Sequence, residues 1–414
     1  MGDFSIEERA WITGRIYHQI AEYFAHWEDS SFPREQLNDV YRECLHEGLA
    51  AQNRDRFVAV MRRWIGKLQN GHSWCYDTTF DSGSQVGFQL ERMDEGWIVI
   101  GSLIDEVDEG DVIELIDGFS PDEWMAQAKP FVTVRQPKTQ ETQWQYIMPT
   151  LWNVHEAILR VRKRDDKVRE FKYKPFRLDA DDPRSKSLKA KNYKKKQERT
   201  EGRWIRDGEV GYIRIPSFQE AHYAEDALSY VQQFSSARVI IFDVRSNGGG
   251  NTPSSLTKAI MDRQYRWWTE TSPNIGHLRR RHSDSSQFTL LPDGTGAHCV
   301  GDWIEPSYCQ FAGKIIALAD RYTGSAAEDF LMPIKDTGRG ILIGETTWGS
   351  TGQPVFFDYK DVHVGIGSVR AFLPDGTKFE GVGIKPDISI YRDREDSYIG
   401  RDPVLEKALQ ILEC

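Results

Sequence analysis

Apolar side chains recur at every third or fourth position through the first seventy residues of the chain. The series Ile12, Ile16 and Ile20 shows this spacing, and a second series begins at Phe57. Such spacing places the apolar side chains on one face of a helix, so the pattern predicts a helical segment over residues 1–80. The pair Asn70-Gly71 is expected to end the last helix of this segment.

Short apolar runs separated by turn residues follow over residues 81–178. They predict strands near 86–90, 97–100 and 108–118, a helical stretch over 120–160, and a hairpin that joins 157–161 to 168–173. We therefore predict a small β-rich module. The strand near 86–90 has two open interpretations, an edge that binds a peptide by strand addition or a surface that packs against the core.

A run of Lys, Arg, Asp and Ser with almost no apolar residue occupies 179–203. It buries too little surface to order itself, so it predicts a solvated linker. Beyond it, residues 204–414 alternate apolar strands with helices. Strands are expected near 210–215, 238–243, 314–319 and 340–343, with helices near 220–234, after 253 and near 326–335. This alternation is typical of an α/β domain whose sheet is covered on both faces.

Charge and hydropathy argue against a nucleic acid partner and against a membrane-spanning segment. The 414 residues include 53 Lys and Arg against 63 Asp and Glu, a net charge of −10. The resulting field repels phosphate backbones, so no nucleic acid partner is expected, although the lysines between Lys189 and Lys196 keep that interpretation open. No stretch approaches the about 18 apolar residues of a membrane span. The segment Met1–Arg9 lacks a basic start and an apolar run, so a cytoplasmic location is expected.

The cysteines predict structural thiols. They are odd in number, scattered along the chain and without a CxxC pair, at Cys44, Cys75, Cys299, Cys309 and Cys414. This usage fits reduced side chains better than disulfides or a zinc site. A bridge between Cys299 and Cys309 is the alternative.

Three local signals could carry chemistry, and the first is the glycine-rich turn of Asp243–Gly250. Consecutive glycines after a buried strand let main-chain N–H groups approach a ligand and face developing negative charge. An ordinary turn is the alternative. The missing Gly-Lys-Ser/Thr sequence argues against a phosphate-binding loop.

The second signal is Ser325, at the predicted junction of strand 314–319 with a helix. A hydroxyl at such a junction can act as a nucleophile, because nearby amides at the positive helix end stabilise the oxyanion that its attack creates. A helix N-cap serine is the alternative.

The third signal is His72, which lies between a helix end and a strand. A serine nucleophile needs a base within hydrogen-bond reach, and histidine is the side chain suited to that role. Nine other histidines compete on sequence grounds.

Together these segments resemble one known family, the S41 peptidases. The family includes the tail-specific or carboxyl-terminal processing proteases, the catalytic part of tricorn protease and the interphotoreceptor retinoid-binding protein. The resemblance runs in order from about residue 55 to 414, through 71–73, 109–118, 210–218, 243–250, 324–328, 344–349 and 381–387.

The resemblance implies a fold and a catalytic base for the serine. The fold is a crotonase-like, or ClpP-like, ββα spiral core of the α/β class, with the N-terminal helical segment and a PDZ-like module at 81–178. In the serine–lysine branch a lysine base follows the segment that matches 344–349, but Ser350 stands at that place here. The tricorn-like branch implies instead that His72 is the base and that Glu380 orients it. Glu328 is the competing acid, and a plain turn carboxylate is the other interpretation of Glu380.

The same resemblance implies an oxyanion hole from the amides of Gly249 and Ala326, with Gly248 or Gly250 as substitutes for Gly249. Tricorn-like members have a further serine before the histidine, and Gly71 occupies that place. Ser73 and Ser350 are the candidates to assist instead.

The expected activity is that of a serine endopeptidase that cleaves unfolded segments or peptides through an acyl-enzyme. Trp267 and Trp268 are candidates to line the approach, and no metal or organic cofactor is required. The alternatives are a non-catalytic binder of apolar small molecules or peptide tails on the same scaffold, and an esterase that uses the same residues.

Overall fold

A computed structural model describes residues 2–79, 84–85, 87–102, 104–151, 157–173, 176–177, 199–283, 286–292, 294–307 and 311–413. The lysine-rich part of the predicted linker, Val86, Cys309 and Cys414 lie outside these residues. Of the remaining cysteines, Cys44, Cys75 and Cys299 are buried.

The helices within this part of the chain are α1 (Ile6–Tyr23), α2 (Leu37–Ala50), α3 (Arg54–Gly66), α4 (Pro121–Ala128), α5 (Pro137–Leu151), α6 (Ala221–Gln233), α7 (Ser254–Ile260), α8 (Ile275–Arg281), α9 (Ala326–Asp336), α10 (Arg394–Ile399) and α11 (Pro403–Ile411). Short 3₁₀ turns occur at Arg34–Gln36 and Lys129–Phe131. None of the helices in the described ranges is long and apolar enough to cross a membrane.

The strands are β1 (Trp74–Asp77), β2 (Ser84–Gln85), β3 (Phe88–Met93), β4 (Gly96–Ser102), β5 (Val112–Ile116), β6 (Ala157–Arg162), β7 (Val168–Tyr173), β8 (Phe176–Arg177), β9 (Glu201–Arg206), β10 (Val210–Arg214), β11 (Val239–Asp243), β12 (Tyr265–Arg266), β13 (Thr269–Ser272), β14 (Phe288–Leu290), β15 (Ala297–Cys299), β16 (Trp303–Ile304), β17 (Lys314–Ala319), β18 (Gly340–Gly344), β19 (Pro354–Tyr359), β20 (Val362–Gly367), β21 (Arg370–Phe372) and β22 (Ile388–Ser389).

The chain divides into two compact units. The first comprises Met1–Lys195, Pro354–Gly367 and Asp393–Arg401, and the second comprises Lys196–Gln353, Ser368–Arg392 and Asp402–Cys414. The sequence predicts one continuous domain over 204–414, so two of its segments belong instead to the first unit. The reason is long-range pairing, which the contacts of these two segments show.

The first unit begins with the predicted helices. Ser5 caps α1 through a reciprocal capping box with Glu8, and the apolar series of the helix is fully buried. The segment Pro354–Gly367 forms the hairpin β19–β20, which pairs with β1 in a three-stranded sheet of order β1-β20-β19. The buried face of this sheet packs on the N-terminal helices. Because of this packing, the hairpin belongs to the first unit although its sequence neighbours belong to the second.

The β-rich module also lies in the first unit. Its strands form an antiparallel meander of order β3-β4-β5-β6-β7, beside the short pair β2–β8. Helix α10 docks on it, since Arg394 donates to the carbonyls of Gly110 and Lys163 at 3.0 Å each. The ring of Tyr398 also covers Gly110, where a side chain would meet it at 2.5 Å. These contacts explain why Asp393–Arg401 belongs to this unit.

The second unit is built on a six-stranded sheet of order β22-β18-β17-β11-β10-β9. All neighbouring pairs are parallel except β9, which pairs antiparallel with β10 at the edge.

The predicted linker over 179–203 extends too far, because residues 201–203 already belong to β9. The alternation around Trp204 marks a half-exposed edge strand rather than a solvated segment.

Both faces of this sheet are covered, as the alternation of strands and helices predicts. Ile240, Phe242 and Ala317 point to one core with α6, α7 and α9, while Ile241 and Leu318 point to a second core with α11. Because β11 and β17 are parallel neighbours, their carboxyl ends lie at one edge of the sheet. The glycine-rich turn and Ser325 follow these two ends.

Candidate active site

Ser325 occupies a strained backbone position at the start of α9. Its φ is 53° and its ψ is −124°, a region that costs a residue with a side chain about 1–3 kcal/mol. Two bonds hold this conformation, since the Ser325 amide donates to Ser350 O at 3.1 Å and to Glu328 Oε2 at 3.0 Å. The residue is only partly buried. A strained, partly accessible serine at a strand-to-helix turn is the geometry expected of a nucleophile.

The glycine-rich turn passes directly beside this serine. A Cβ on Gly249, whose φ is 100°, would lie 2.6 Å from Ser325 Cβ and 2.8 Å from Ala326 N. Asn247 fixes the turn, because its carbonyl accepts the Gly324 amide at 3.0 Å and its side chain donates to Ile215 O at 3.1 Å. Glycine at 249 is therefore required by close approach to the serine.

The amides near Ser325 differ in their availability. The Gly249 N–H already donates to Asn247 Oδ1 at 2.9 Å, and Gly250 lies against the backbone of Phe218 and Gln219. Within the described ranges, the amides of Gly248 and Ala326 have no protein acceptor. Space is open beside the Gly248 Cα. These contacts favour Gly248 over Gly249 as the partner of Ala326 in an oxyanion hole.

Glu328 is a fully buried carboxylate that joins the serine to a neighbouring loop. It accepts Thr347 Oγ1 at 2.5 Å and the amides of Gly349 at 2.7 Å, Ser350 at 3.2 Å and Ser325 at 3.0 Å. Burial raises the pKa of Glu328 to about 8, and these four donors oppose the rise. Two donors on each oxygen leave no acceptor position for an imidazole. These bonds tie the Ser325 amide to the loop that contains Thr347, Gly349 and Ser350.

Glu380 is also buried, with 3% of its surface exposed, so it is not a solvated turn carboxylate. Its Oε1 accepts the Thr351 amide at 3.2 Å, and its side chain hydrogen-bonds that of Ser350. Burial, and then the charge of Glu328, raise the pKa of Glu380 well above its usual value, against the opposing charge of Arg370.

Ser350 connects these groups. Its carbonyl accepts the Ser325 amide, its own amide donates to Glu328, and its side chain bonds Glu380. The second unit therefore brings together Ser325, Glu380 and the two predicted auxiliary residues, Ser350 and Glu328. No set of three or more His, Cys, Asp or Glu side chains suited to a metal occurs among the described residues.

His72 and Ser73 belong to the first unit. Asn70 Oδ1 accepts the His72 amide and the Ser73 hydroxyl at 3.1 Å each, and Ser73 Oγ accepts the Gly367 amide at 3.1 Å. Ser73 is fully buried and ties the histidine turn to β20, whereas His72 is half-buried. The pairing of His72 with Ser325 stays a prediction.

The family model for peptidase family S41 matches residues 209–390, the part of the chain that holds Ser325, both buried acids and the glycine-rich turn. Over these residues the chain is similar to peptidase family S41. The resemblance predicted from the ordered motifs is therefore confirmed.

Named relatives of this chain agree with the match. Tricorn protease of Thermoplasma acidophilum is 27% identical over 221 residues, which are 50% of this chain and 17% of the relative. The chloroplastic C-terminal processing peptidase of Tetradesmus obliquus is 24% identical over 185 residues, or 44% of this chain and 35% of the relative. The chain thus spans about a fifth of the length of the tricorn proteases that it matches.

Solved structures with a similar fold also match this chain. The crystal structure of mature CPAF aligns with a TM-score of 0.75 at 14% identity, covering 97% of this chain and 96% of that chain. The photosystem II D1 C-terminal processing protease aligns with a TM-score of 0.51 at 15% identity, covering 94% of each. The mixed α/β fold is therefore shared with both.

Sequence reasoning missed the polar residues that fasten the site. Thr347, Thr351 and Asp329 carry no signal of their own, because their partners lie in other loops. Glu328 was predicted as a competing acid, and its bond to the Ser325 amide has a sequence signal, since a serine followed by a glutamate three residues later is the pattern of a capping box.

Gly249→Ala tests the close approach of the turn to Ser325. The added methyl would overlap Ser325 and Ala326, so we expect a loss of at least about 2 kcal/mol in the free energy of unfolding. Denaturant unfolding measures this loss. Gly248→Ala is the matched control, because nothing lies within 4 Å of its added methyl, and it should change stability by less than about 1 kcal/mol. Equal effects of the two substitutions would contradict the described packing.

Proposed function

We propose that this chain is a serine peptidase in which Ser325 is the nucleophile. This proposal rests mainly on the strained backbone of Ser325, which is held at the start of α9 between the Gly249 turn and the Ser350 loop. A structural N-cap serine needs no such strain, since N-caps ordinarily adopt extended backbone. The match of residues 209–390 to the S41 family model supports a peptidase, and the acidic, buried surroundings of Ser325 support an orienting acid.

The proposed mechanism assigns three side chains. His72 removes the proton from Ser325 Oγ as the hydroxyl attacks the scissile carbonyl, and it later donates that proton to the leaving amine. Glu380 orients the imidazole and stabilises the imidazolium. The amides of Ala326 and Gly248 bind the tetrahedral oxyanion. Water then hydrolyses the acyl-enzyme with His72 again as the base, which regenerates Ser325.

The proposal extends to architecture and substrate. We assign the second unit to a crotonase-like core and the β3–β7 meander to a PDZ-like module. Unfolded segments and peptides are the proposed substrates, because an extended backbone reaches a partly buried serine more easily than a folded surface does. The odd number and scattered positions of the cysteines support the proposed location in the reducing cytoplasm.

The decisive experiment combines labelling with hydrolysis. A fluorophosphonate probe should modify the folded protein at Ser325, located by peptide mapping, and the protein should cleave an unstructured peptide. Failure to label and to cleave would overturn the peptidase and favour the binder. Labelling with turnover of esters but not of peptides would favour the esterase.

Glu380→Gln should separate activity from stability. Glutamine can still accept the Thr351 amide, but it holds the imidazole in the wrong tautomer, so kcat should fall about 10⁴-fold. The free energy of unfolding at pH 8 should be no lower than in the wild type, because a costly buried charge is removed.

The pH dependence of that comparison has a definite sign. A carboxyl whose pKa is raised by folding takes up a proton in the folded state, so wild-type stability rises as the pH falls from 8 toward 5. Glu380→Gln lacks this gain, and its stability relative to the wild type should decline over the same range. Denaturant unfolding at both pH values checks this, and a variant that is less stable at pH 8 would contradict it.

A further inference from the structure

Asp329 is a buried carboxylate that the proposed mechanism does not use. It lies one residue after Glu328 on α9, with 3% of its surface exposed. Its Oδ1 accepts Trp268 Nε1 at 2.7 Å and Thr351 Oγ1 at 3.0 Å, and its Oδ2 accepts Thr252 Oγ1 at 2.6 Å. The three donors come from three separate segments of the second unit. Asp329 therefore fastens these segments to the first turn of α9.

Two of these bonds lead to Glu380 by independent routes. Thr351 gives its hydroxyl to Asp329 and its amide to Glu380 Oε1, so a single residue bridges the two carboxylates. Trp268 gives its indole N–H to Asp329, and its ring packs at 4.4 Å from the ring of Phe379, the residue before Glu380. Trp268 and Phe379 are both fully buried. The position of Glu380 thus depends on Asp329 through two connections, one by Thr351 and one by Trp268 and Phe379.

The third bond leads to the glycine-rich turn. Thr252 follows that turn by two residues, and its hydroxyl is anchored on Asp329. The turn itself contacts Ser325 at Gly249. One carboxylate therefore connects the segment with the proposed orienting acid to the segment with the proposed oxyanion amide of Gly248.

We propose that Asp329 is a positioning residue for the hydrolytic reaction, acting through Glu380 and the glycine-rich turn. This inference rests on the proposed function. The Asp329 amide donates to Ser325 O at 3.1 Å, but in this role the carboxylate acts through Trp268, Thr351 and Thr252 and not by contact with the substrate. It holds the orienting acid at the place where the imidazole must meet it, and a small displacement of such a group lowers the rate of the chemical step more than it lowers substrate binding.

The test compares two substitutions at Asp329. Asp329→Ala removes all three bonds and should lower kcat about 10²-fold with KM nearly unchanged. Asp329→Asn should restore most of the activity, because its oxygen can accept Trp268 and Thr351 while its amide donates to Thr252. Asp207→Asn, in the exposed turn between β9 and β10, is the control for the same chemical change.

A double-mutant cycle decides whether Asp329 acts through Glu380. On the Glu380→Gln background, Asp329→Ala should cost little further activity, because the acid it positions is already absent. Equal losses on both backgrounds would overturn the inference. Thr351→Val keeps the amide bond to Glu380 and removes only the hydroxyl, so it gives the same test if Asp329→Ala does not fold.

The outcomes separate this inference from the proposed function. A wild-type protein that neither labels at Ser325 nor cleaves peptide would refute the proposed function. An active, labelled wild type whose Asp329 and Thr351 variants keep full kcat would refute only the positioning role. Loss of kcat in Asp329→Ala without rescue by Asp329→Asn would also refute it, since the bonds would then not be the cause.

Discussion

Ser325→Ala should lower kcat for an unstructured peptide by about 10⁵- to 10⁶-fold, because the hydroxyl is the atom that forms the acyl-enzyme. Fluorophosphonate labelling should disappear with it. The residual rate should be that of substrate bound next to an oxyanion hole without a nucleophile. Hydrolysis of a quenched fluorescent peptide at saturating substrate measures the effect.

The stability of this variant should change little. Alanine retains the amide that bonds Ser350 and Glu328, so the free energy of unfolding should stay within about 1 kcal/mol of the wild type. Ser229→Ala, at an exposed position of α6, is the matched control and should keep full activity. An alanine variant that still turns over substrate at a tenth of the wild-type rate would rule out Ser325 as the nucleophile.

Local pattern was sufficient to predict much of the fold. The helical spacing around Ile16 and the apolar strands at 239–243 and 314–319 specify their elements because burial demands that periodicity. The alternation of strands and helices also predicted an α/β domain whose sheet is covered on both faces. Placing Ser325 at a strand-to-helix junction followed from these elements alone.

Long-range assembly was not predictable in the same way. The hairpin β19–β20 has ordinary strand spacing, and nothing in its sequence states that its partner is β1, about 280 residues earlier. The contact of α10 with Gly110 could not be predicted either, because the sequence of a six-residue helix does not indicate which segment it packs against. Both segments therefore stayed with the domain that surrounds them in the sequence.

The polar interior of the site shows the same limit. Glu380 was predicted from a family resemblance, but its burial and its links to Ser350 and Thr351 depend on where three loops converge. Two buried acids beside the start of α9 are costly, and the N-terminal end of a helix offsets part of that cost. Their presence is explained if the reaction requires acids at this place. Because burying an acid is costly, removal of the charge at Glu380 is expected to increase stability.

His72→Ala should lower kcat/KM by about 10⁵-fold, because a serine hydroxyl without a base is a weak nucleophile at neutral pH. The residual activity should also lose the acidic limb that an imidazole base gives to the pH profile of kcat/KM. Rates measured from pH 5 to 9 check both effects. His18→Ala, at an exposed position of α1, is the control and should leave the profile unchanged.

A cavity variant distinguishes a base from a structural side chain. His72→Gly should recover part of its activity when free imidazole is added, since imidazole can then accept the Ser325 proton from solution. His277 is the rival base in the second unit, where it is buried and lies 2.5 Å from Ser368 Oγ. If the acidic limb persists in His72→Ala and vanishes in His277→Gln, the base is His277, and the assignment of His72 is wrong.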